Sequence, residues 1–166
     1  MANKRITDLT DYPGGVFANT NEMEMSVDIG SSVFVSRKVS WSDILSSIPV
    51  NIQLACSDET TALTTGTAKM SFRMPHGMTL TEVRASVTTA PTGSVLTVDI
   101  NDSGSSVLST KLTIDIGEKS STTSSIPPVI SQIALVDDAE ITIDIDTIGS
   151  TIAGTGLKVT LIGRRI

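Results

Sequence analysis

The sequence predicts an all-β protein in which residues 50–166 fold as one antiparallel, jelly-roll-like β-sandwich. Two observations support this class. Short apolar runs alternate residue by residue with polar positions, and turn-forming residues separate the runs. Alternation with a period of two gives each strand one face for a core and one face for water. Because aromatic residues make up only 3% of the chain, the core must consist of Ile, Leu, Val and Met.

Six alternating runs follow residue 50, and they predict the strands. Asp99, Lys111 and Asp144 occupy polar positions between their apolar residues, so we expect these three side chains on the solvent face. The apolar positions, run by run, are Met70, Phe72 and Met74; Val83, Ala85 and Val87; Leu96, Val98 and Ile100; Leu108, Leu112 and Ile114; Ile141, Ile143 and Ile145; and Leu157, Val159 and Leu161.

Turn chemistry separates these runs. Residues 101–104 (NDSG) lie between two runs and predict a hairpin loop. Pro127 and Pro128 exclude a central strand and predict an edge or crossing segment. Residues 154–156 (GTG) superficially resemble a phosphate-binding loop, but no Gly-Lys-Ser/Thr follows, so we predict a hairpin turn there.

Residues 1–49 predict an extended N-terminal arm. Residues 23–29 and 33–39 alternate and predict two strands joined by a turn at residues 30–32. Ser40 is a good helix N-cap and Asp43 follows three residues later. We therefore predict one short helix near residues 41–47, which Pro49 stops.

Composition excludes several classes of partner. The net charge of −6 argues against nucleic-acid binding, which needs clustered Lys and Arg. No stretch is apolar and long enough to span a bilayer, and no apolar region of a signal peptide follows the first basic residues. A single cysteine, Cys56, rules out an intramolecular disulfide, and its apolar neighbours predict a small buried side chain.

The sequence predicts no catalytic, cofactor-binding or metal-binding residues. His76 is the only histidine, it falls in a predicted turn, and no nucleophile motif accompanies it. Asp144 and Asp146 share a strand face, and Asp137 and Asp138 lie just upstream. These carboxylates leave Ca²⁺ binding as an alternative, although acidic residues on a strand also block edge pairing. One Trp and one Tyr are too few to line a sugar cleft, which weighs against a carbohydrate-active enzyme.

Two parts of the chain resemble proteins of tailed bacteriophages. Residues 5–10 (RITDLT) with residues 36–45 (SRKVSWSDIL) resemble the N-terminal attachment module of tail-fibre and related appendage proteins. The stretch from residue 57 to residue 163 resembles a β-rich domain common in virion structural proteins. Its marks are residues 73–75 (RMP), 78–80 (MTL), 98–101 (VDIN), 109–114 (STKLTI) and 141–145 (ITIDI).

The resemblance implies a protein assembled in the host cytoplasm and exposed on the virion surface, where it forms a homotrimer. Its N-terminal arm would attach to tail, baseplate or capsid proteins, and its sandwich would be free to contact a host receptor or glycan. The long shaft of full-length fibres is missing, which leaves a short fibre or a capsid decoration (cement) protein that clamps neighbouring subunits.

The expected partner-anchoring residues are the apolar side chains of the two attachment motifs. For Trp41, packing on its own sandwich is the alternative. The anchors are Ile6, Leu9, Val39, Trp41, Ile44 and Leu45.

Overall fold

The structure is a computed structural model that describes residues 22–28 and 34–166, with side chains for residues 40–44 and 46–166. The predicted turn at residues 30–32 lies outside the described residues. The chain divides into two compact units, Met1–Leu45 and Ser46–Ile166. None of the described helices has the length and apolar character needed to cross a membrane.

The first unit contains an antiparallel hairpin. Strand β1 (Glu22–Asp28) pairs with β2 (Phe34–Ser40), in a register that runs from Glu22 opposite Ser40 to Asp28 opposite Phe34. Helix α1 (Trp41–Ser47) follows directly. The predicted strands and helix are thus confirmed, with the strand ends displaced by one residue.

The second unit is built from eleven strands, several of them very short. In addition, residues Ser121–Thr123 form one turn of 3₁₀ helix. The strands are β3 (Pro49–Ala55), β4 (Gly66–Arg73), β5 (Met78–Ser86), β6 (Leu96–Asp102), β7 (Ser105–Ser106), β8 (Leu108–Thr110), β9 (Leu112–Ile114), β10 (Val129–Ile130), β11 (Ala134–Leu135), β12 (Glu140–Thr147) and β13 (Lys158–Arg165).

These strands form two antiparallel sheets. One has the order β11-β5-β13-β3, and the other has the order β4-β12-β6, with β7 and β9 both on the outer edge of β6. Strands β8 and β10 form a separate pair. With β7, β8 and β10 set aside, the remaining eight strands, numbered along the chain, have the sheet orders 1-8-3-6 and 2-7-4-5. This connectivity is jelly-roll-like, so the predicted all-β sandwich is confirmed.

The core is aliphatic, as the composition required. Strands β6, β12 and β13 contribute Val98, Ile143 and Leu161, all of which are fully buried. Met74 and Met78 are also buried, while Phe72 is only partly buried against the core. Burial of branched aliphatic side chains from both sheets supplies the main driving force for folding.

The hairpin predicted at residues 101–104 is confirmed, and two other sequence predictions need correction. The turn of the hairpin consists of Ser103 and Gly104, between β6 and β7. Both have positive φ, 50° and 85°, as a type I′ turn requires. Residues 154–156 do not form a hairpin turn, since the loop 148–157 connects β12 in one sheet to β13 in the other. Asp99 lies on the outer face of its sheet, but it is covered there and only 5% exposed.

The predicted crossing segment around Pro127 and Pro128 is confirmed. Both prolines lie in the connection from β9 in one sheet toward β11 in the other. Four side chains of this connection and of the residues after β11 stay largely in solvent: Ile126, Val129, Ile133 and Val136, which are 59%, 50%, 55% and 60% exposed. The sandwich therefore carries an exposed apolar segment at residues 126–136.

We expect Ile143→Ala to destabilise the sandwich by about 2–5 kcal/mol, because it leaves a cavity between two packed sheets. Ile126→Ala is the matched control: since Ile126 is 59% exposed, its effect should stay within about 0.5 kcal/mol. Urea unfolding followed by circular dichroism measures both variants, because the only Trp, Trp41, belongs to the other unit. Equal effects in the two variants would contradict this assignment of the core.

Candidate functional site

The structure describes the predicted anchoring residues unevenly. Ile6 and Leu9 lie outside the described residues. Val39 lies in β2 opposite Met23, and Leu45 lies in α1, but their side chains are not described. Trp41 and Ile44 lie three residues apart on α1, and both are half-buried. Residues three apart share a helix face, so the structure brings these two of the six predicted anchors together.

Ser40 and Asp43 set the start of α1 through a reciprocal capping arrangement. Ser40 Oγ accepts a hydrogen bond from the backbone N–H of Asp43 (3.1 Å), and Asp43 Oδ2 accepts one from the backbone N–H of Ser40 (3.0 Å). The hydrogen bonds from Ser40 hold the pKa of the Asp43 carboxyl below its ordinary value. This arrangement satisfies N–H groups that a helix start otherwise leaves unpaired, and it positions Trp41 as the first helical residue.

A groove of about 680 Å³ lies along the outer edge of β5 in the sandwich. Residues 80–84 form one side, and parts of the segment 121–133 form the other. Hydrogen bonds hold this second side in place: Asp115 Oδ2 accepts from the backbone N–H of Ser125 (2.8 Å), and the backbone N–H of Ser131 donates to the carbonyl of Val107 (2.9 Å).

The groove coincides with a gap in the pairing of β5. Strand β11 pairs with β5 only at Met78 and Thr79. On the same edge, the backbone N–H of Leu80 donates to the carbonyl of Ile133 (2.6 Å), and the next contact is from Ala85 N–H to Ser121 Oγ (2.9 Å). Residues 81–84 therefore have no neighbouring strand on this edge within the described part of the chain. An unpaired edge of this kind can accept an added strand.

One ion pair lies on the β5 side of the groove. Arg84 Nε and Nη2 donate to the two oxygens of Glu82 at 2.6 and 3.0 Å, which is a bidentate arrangement. The pair lowers the pKa of Glu82 and raises that of Arg84. None of the thirteen lining residues is aromatic. The groove thus has an unpaired backbone edge, an apolar wall and one ion pair. These features suit a peptide strand better than a sugar ring.

A second charged group lies on the other sheet. Lys111 Nζ contacts Asp146 Oδ2 at 2.5 Å and Asp99 Oδ2 at 3.0 Å. Asp99 Oδ1 also accepts hydrogen bonds from Ser106 Oγ (2.6 Å) and from the backbone N–H of Ile100 (2.8 Å). The two carboxylates, Asp146 first and Asp99 second, raise the pKa of Lys111. Since its charges are paired, this group stabilises the sheet surface and offers no free ligand.

The buried position of Asp99 was missed because alternation in β6 placed it on the solvent face. The chain leaves the edge of β6 between β7 and β9. Ser106, at the end of β7, and Lys111, just before β9, contact the Asp99 carboxylate. A break inside the run from Leu108 to Ile114 causes this, since β8 pairs with β10 while β9 pairs with β6. Lys111 lies between β8 and β9. The change of pairing partner between these two strands therefore places its side chain beside Asp99.

The carboxylates of the calcium alternative also bind protein groups. Asp144 Oδ1 accepts a hydrogen bond from the backbone N–H of Ala68 (2.7 Å), where β4 has an unusual φ of 47°. Asp146 contacts Lys111, and Asp138 lies near Arg73, with Nη1 and Oδ2 3.9 Å apart. The described residues contain no group of three or more His, Cys, Asp or Glu side chains that could hold a metal ion.

The ring nitrogen of His76 and the thiol of Cys56 are both buried. Among the described residues, His76 Nε2 has no hydrogen-bond partner. Cys56 is 7% exposed, and burial raises the pKa of its thiol to about 11. A thiol with such a pKa is protonated and inert near neutral pH.

Comparison with protein-family models, with curated proteins and with solved structures finds no match for this chain.

We expect Asp99→Ala to destabilise the sandwich by about 1–3 kcal/mol, because it removes a buried carboxylate that accepts hydrogen bonds from Ser106 Oγ and the Ile100 N–H and pairs with Lys111. Asp146→Ala is the control, and its cost should stay below about 1 kcal/mol because the ion pair is partly exposed. Urea unfolding at pH 7 measures both variants. Below the ordinary Lys pKa of 10.5 the charged group contributes in full, and it weakens as pH rises through the raised folded-state pKa. A larger cost for Asp146→Ala would overturn this ranking.

We expect the Cys56 thiol of the folded protein to resist iodoacetamide at pH 8, because it is buried and its pKa is raised to about 11. The same chain in strong urea should be labelled rapidly, and intact mass distinguishes the two states. Rapid labelling without urea would show that the thiol is accessible.

Proposed function

We propose that this chain is a non-enzymatic structural protein of a tailed-bacteriophage virion, a homotrimeric short fibre or appendage. In this proposal the N-terminal unit attaches the protein to tail, baseplate or capsid proteins, and the sandwich is displayed at the particle surface. The observation that carries it is the division into a sandwich with its own aliphatic core and a separate short unit that holds the attachment-like motif. The resemblance of both parts to phage proteins supports the same arrangement.

The properties of the sandwich suit a displayed domain. The charged groups at Asp99 and Lys111 are paired within the sheet, and the groups at Glu82 and Arg84 are paired beside the groove. The groove at β5 is the concave surface with which the sandwich would contact a host-surface protein by strand addition. Because its lining has no aromatic residue, a glycan ligand is less well supported.

A capsid decoration protein is the second candidate, and the exposed apolar segment at residues 126–136 favours it. Ile126, Val129, Ile133 and Val136 are each at least half exposed. Clusters of exposed apolar side chains usually mark protein interfaces. If the chain is a cement protein that clamps neighbouring capsid subunits, the capsid shell would cover this segment.

The location of the chain in purified particles tests the proposal. We expect mass spectrometry to find the chain in particles, and cryo-electron microscopy to place its sandwich on an appendage with the N-terminal unit toward the particle. Lysate from the same infection, depleted of particles, is the control. Density on the capsid shell would favour the decoration protein instead. A chain abundant in the depleted lysate and missing from particles would overturn both candidates.

A further inference from the structure

We infer that the groove at β5 binds a short extended segment of a partner protein, which adds antiparallel to residues 81–84 and carries an acidic, an apolar and a basic residue in that order. The inference rests on the proposed function, in which the sandwich contacts a host-surface protein, and it assigns the chemistry of the segment that the groove takes. The groove lies entirely within the unit Ser46–Ile166, and the structure describes every residue of that unit.

The backbone of Val83 presents an unpaired donor and acceptor to the groove. In an antiparallel strand, the N–H and C=O of one residue point to the same edge, and successive residues alternate between the two edges. The register of β5 with β13 is unbroken from Ser86 to Glu82. Within it, the N–H of Ala85 points away from β13 toward Ser121 Oγ. The N–H and C=O of Val83, two residues earlier, therefore point into the groove, where no described group forms a hydrogen bond with them.

The covered ends of this gap set the length of the segment. At one end the carbonyl of Ile133 accepts the hydrogen bond from the Leu80 N–H, and at the other Ser121 Oγ accepts that from the Ala85 N–H. The five residue steps between Leu80 and Ala85 span about 16 Å, which admits about four extended residues. A strand of a folded sheet, including β5 of a second copy, would run past both ends and collide with the chain there. The occupant is therefore a short segment that leaves the groove at each end.

The middle position of the segment suits an apolar residue. Residues opposite each other in a pair of strands share a face, and the side chain of Val83 lies on the face that packs on the core. The wall of the groove beyond β5 includes Pro127, Pro128 and Ile130, of which the last two are half-buried. An apolar side chain gains by covering such a wall, whereas a charged side chain would lose hydration.

The ion pair beside the edge determines which charges suit the flanking positions. Glu82 and Arg84 flank Val83 and lie on the opposite, outer face of the sheet. Their side chains are 45% and 51% exposed, so sharing their charges with a partner costs little. Opposite charges directly across two strands attract. Read from its N-terminus, an antiparallel segment therefore places an acidic residue opposite Arg84, an apolar one opposite Val83 and a basic one opposite Glu82.

Titration of the isotope-labelled, full-length chain with short peptides tests the inference by NMR. The matched probe is Thr-Thr-Glu-Val-Lys-Thr-Thr, blocked at both ends, and the control probe Thr-Thr-Lys-Val-Glu-Thr-Thr exchanges its two charges. We expect the matched probe to shift the amide proton of Val83 downfield, because that N–H gains an acceptor, with a Kd of about 0.1–1 mM. The control probe should bind at least about fivefold more weakly, because it brings like charges together.

Methylation of single peptide nitrogens distinguishes strand addition from charge attraction alone. In the antiparallel pairing, the N–H of the probe's Val donates to the carbonyl of Val83, whereas the N–H of the probe's Lys points away from β5. N-methylation at the probe's Val should weaken binding at least about tenfold, and N-methylation at its Lys should change the Kd by less than about twofold.

A charge-exchanged protein provides the reciprocal test. Glu82→Arg with Arg84→Glu keeps both the ion pair and the net charge of −6, and circular dichroism checks that the variant folds. We expect this variant to prefer the control probe. The peptide comparisons on the original chain test the inference even if the variant does not fold. An unshifted Val83 amide with the matched probe, equal affinity for the two probes, or binding that survives methylation at the probe's Val would overturn the inference.

These outcomes are distinct from failure of the proposed function. A chain that is found in particles but whose Val83 amide does not respond to the matched probe overturns the peptide site and keeps the virion assignment. A chain that binds the matched probe but is missing from particles overturns the virion assignment and keeps the peptide site.

Discussion

The long strands β5, β12 and β13 each bury one alternating set of side chains, and most of the structure depends on that constraint. A sheet with one apolar face needs a second sheet against it, and the alternate crossing of the chain between two sheets provides one. With so few aromatic residues, the space between the sheets is filled by side chains such as Ile141, Ile143 and Ile145 from β12 and their partners on β13. Branched aliphatic residues suit this role because they are stiff and pack well on a pleated surface.

The outer faces of the sheets carry charged residues, and these also need partners. Asp99 and Asp144 are directly opposite each other in the β6–β12 register, an arrangement that like charges disfavour. In the structure the two carboxylates have different partners. Lys111 and Ser106 contact Asp99, while Asp144 accepts a hydrogen bond from the irregular part of β4. Each of the two irregularities therefore supplies a partner to one carboxylate: β4 to Asp144, and the break between β8 and β9 to Asp99.

The N-terminal unit has the same kind of strand pattern without a second sheet among the described residues. In its hairpin, β1 pairs with β2 from Glu22 opposite Ser40 to Asp28 opposite Phe34. The capped helix α1 follows the hairpin at once, and its first residue is the chain's single Trp.

Local pattern alone determined the fold class, the alternating core positions, the helix at residues 41–47 and the crossing segment at the two prolines. Each depends on neighbouring residues: period two for strands, an N-cap pair for the helix, and missing N–H groups for the prolines. Tertiary structure alone decided that the loop 148–157 crosses between sheets, that Asp99 is buried beside Lys111, and that β5 has an open edge beside a groove. The reason is physical: a strand has the same period whichever sheet it joins, so partners distant in sequence decide which edge is covered and which polar residue is enclosed.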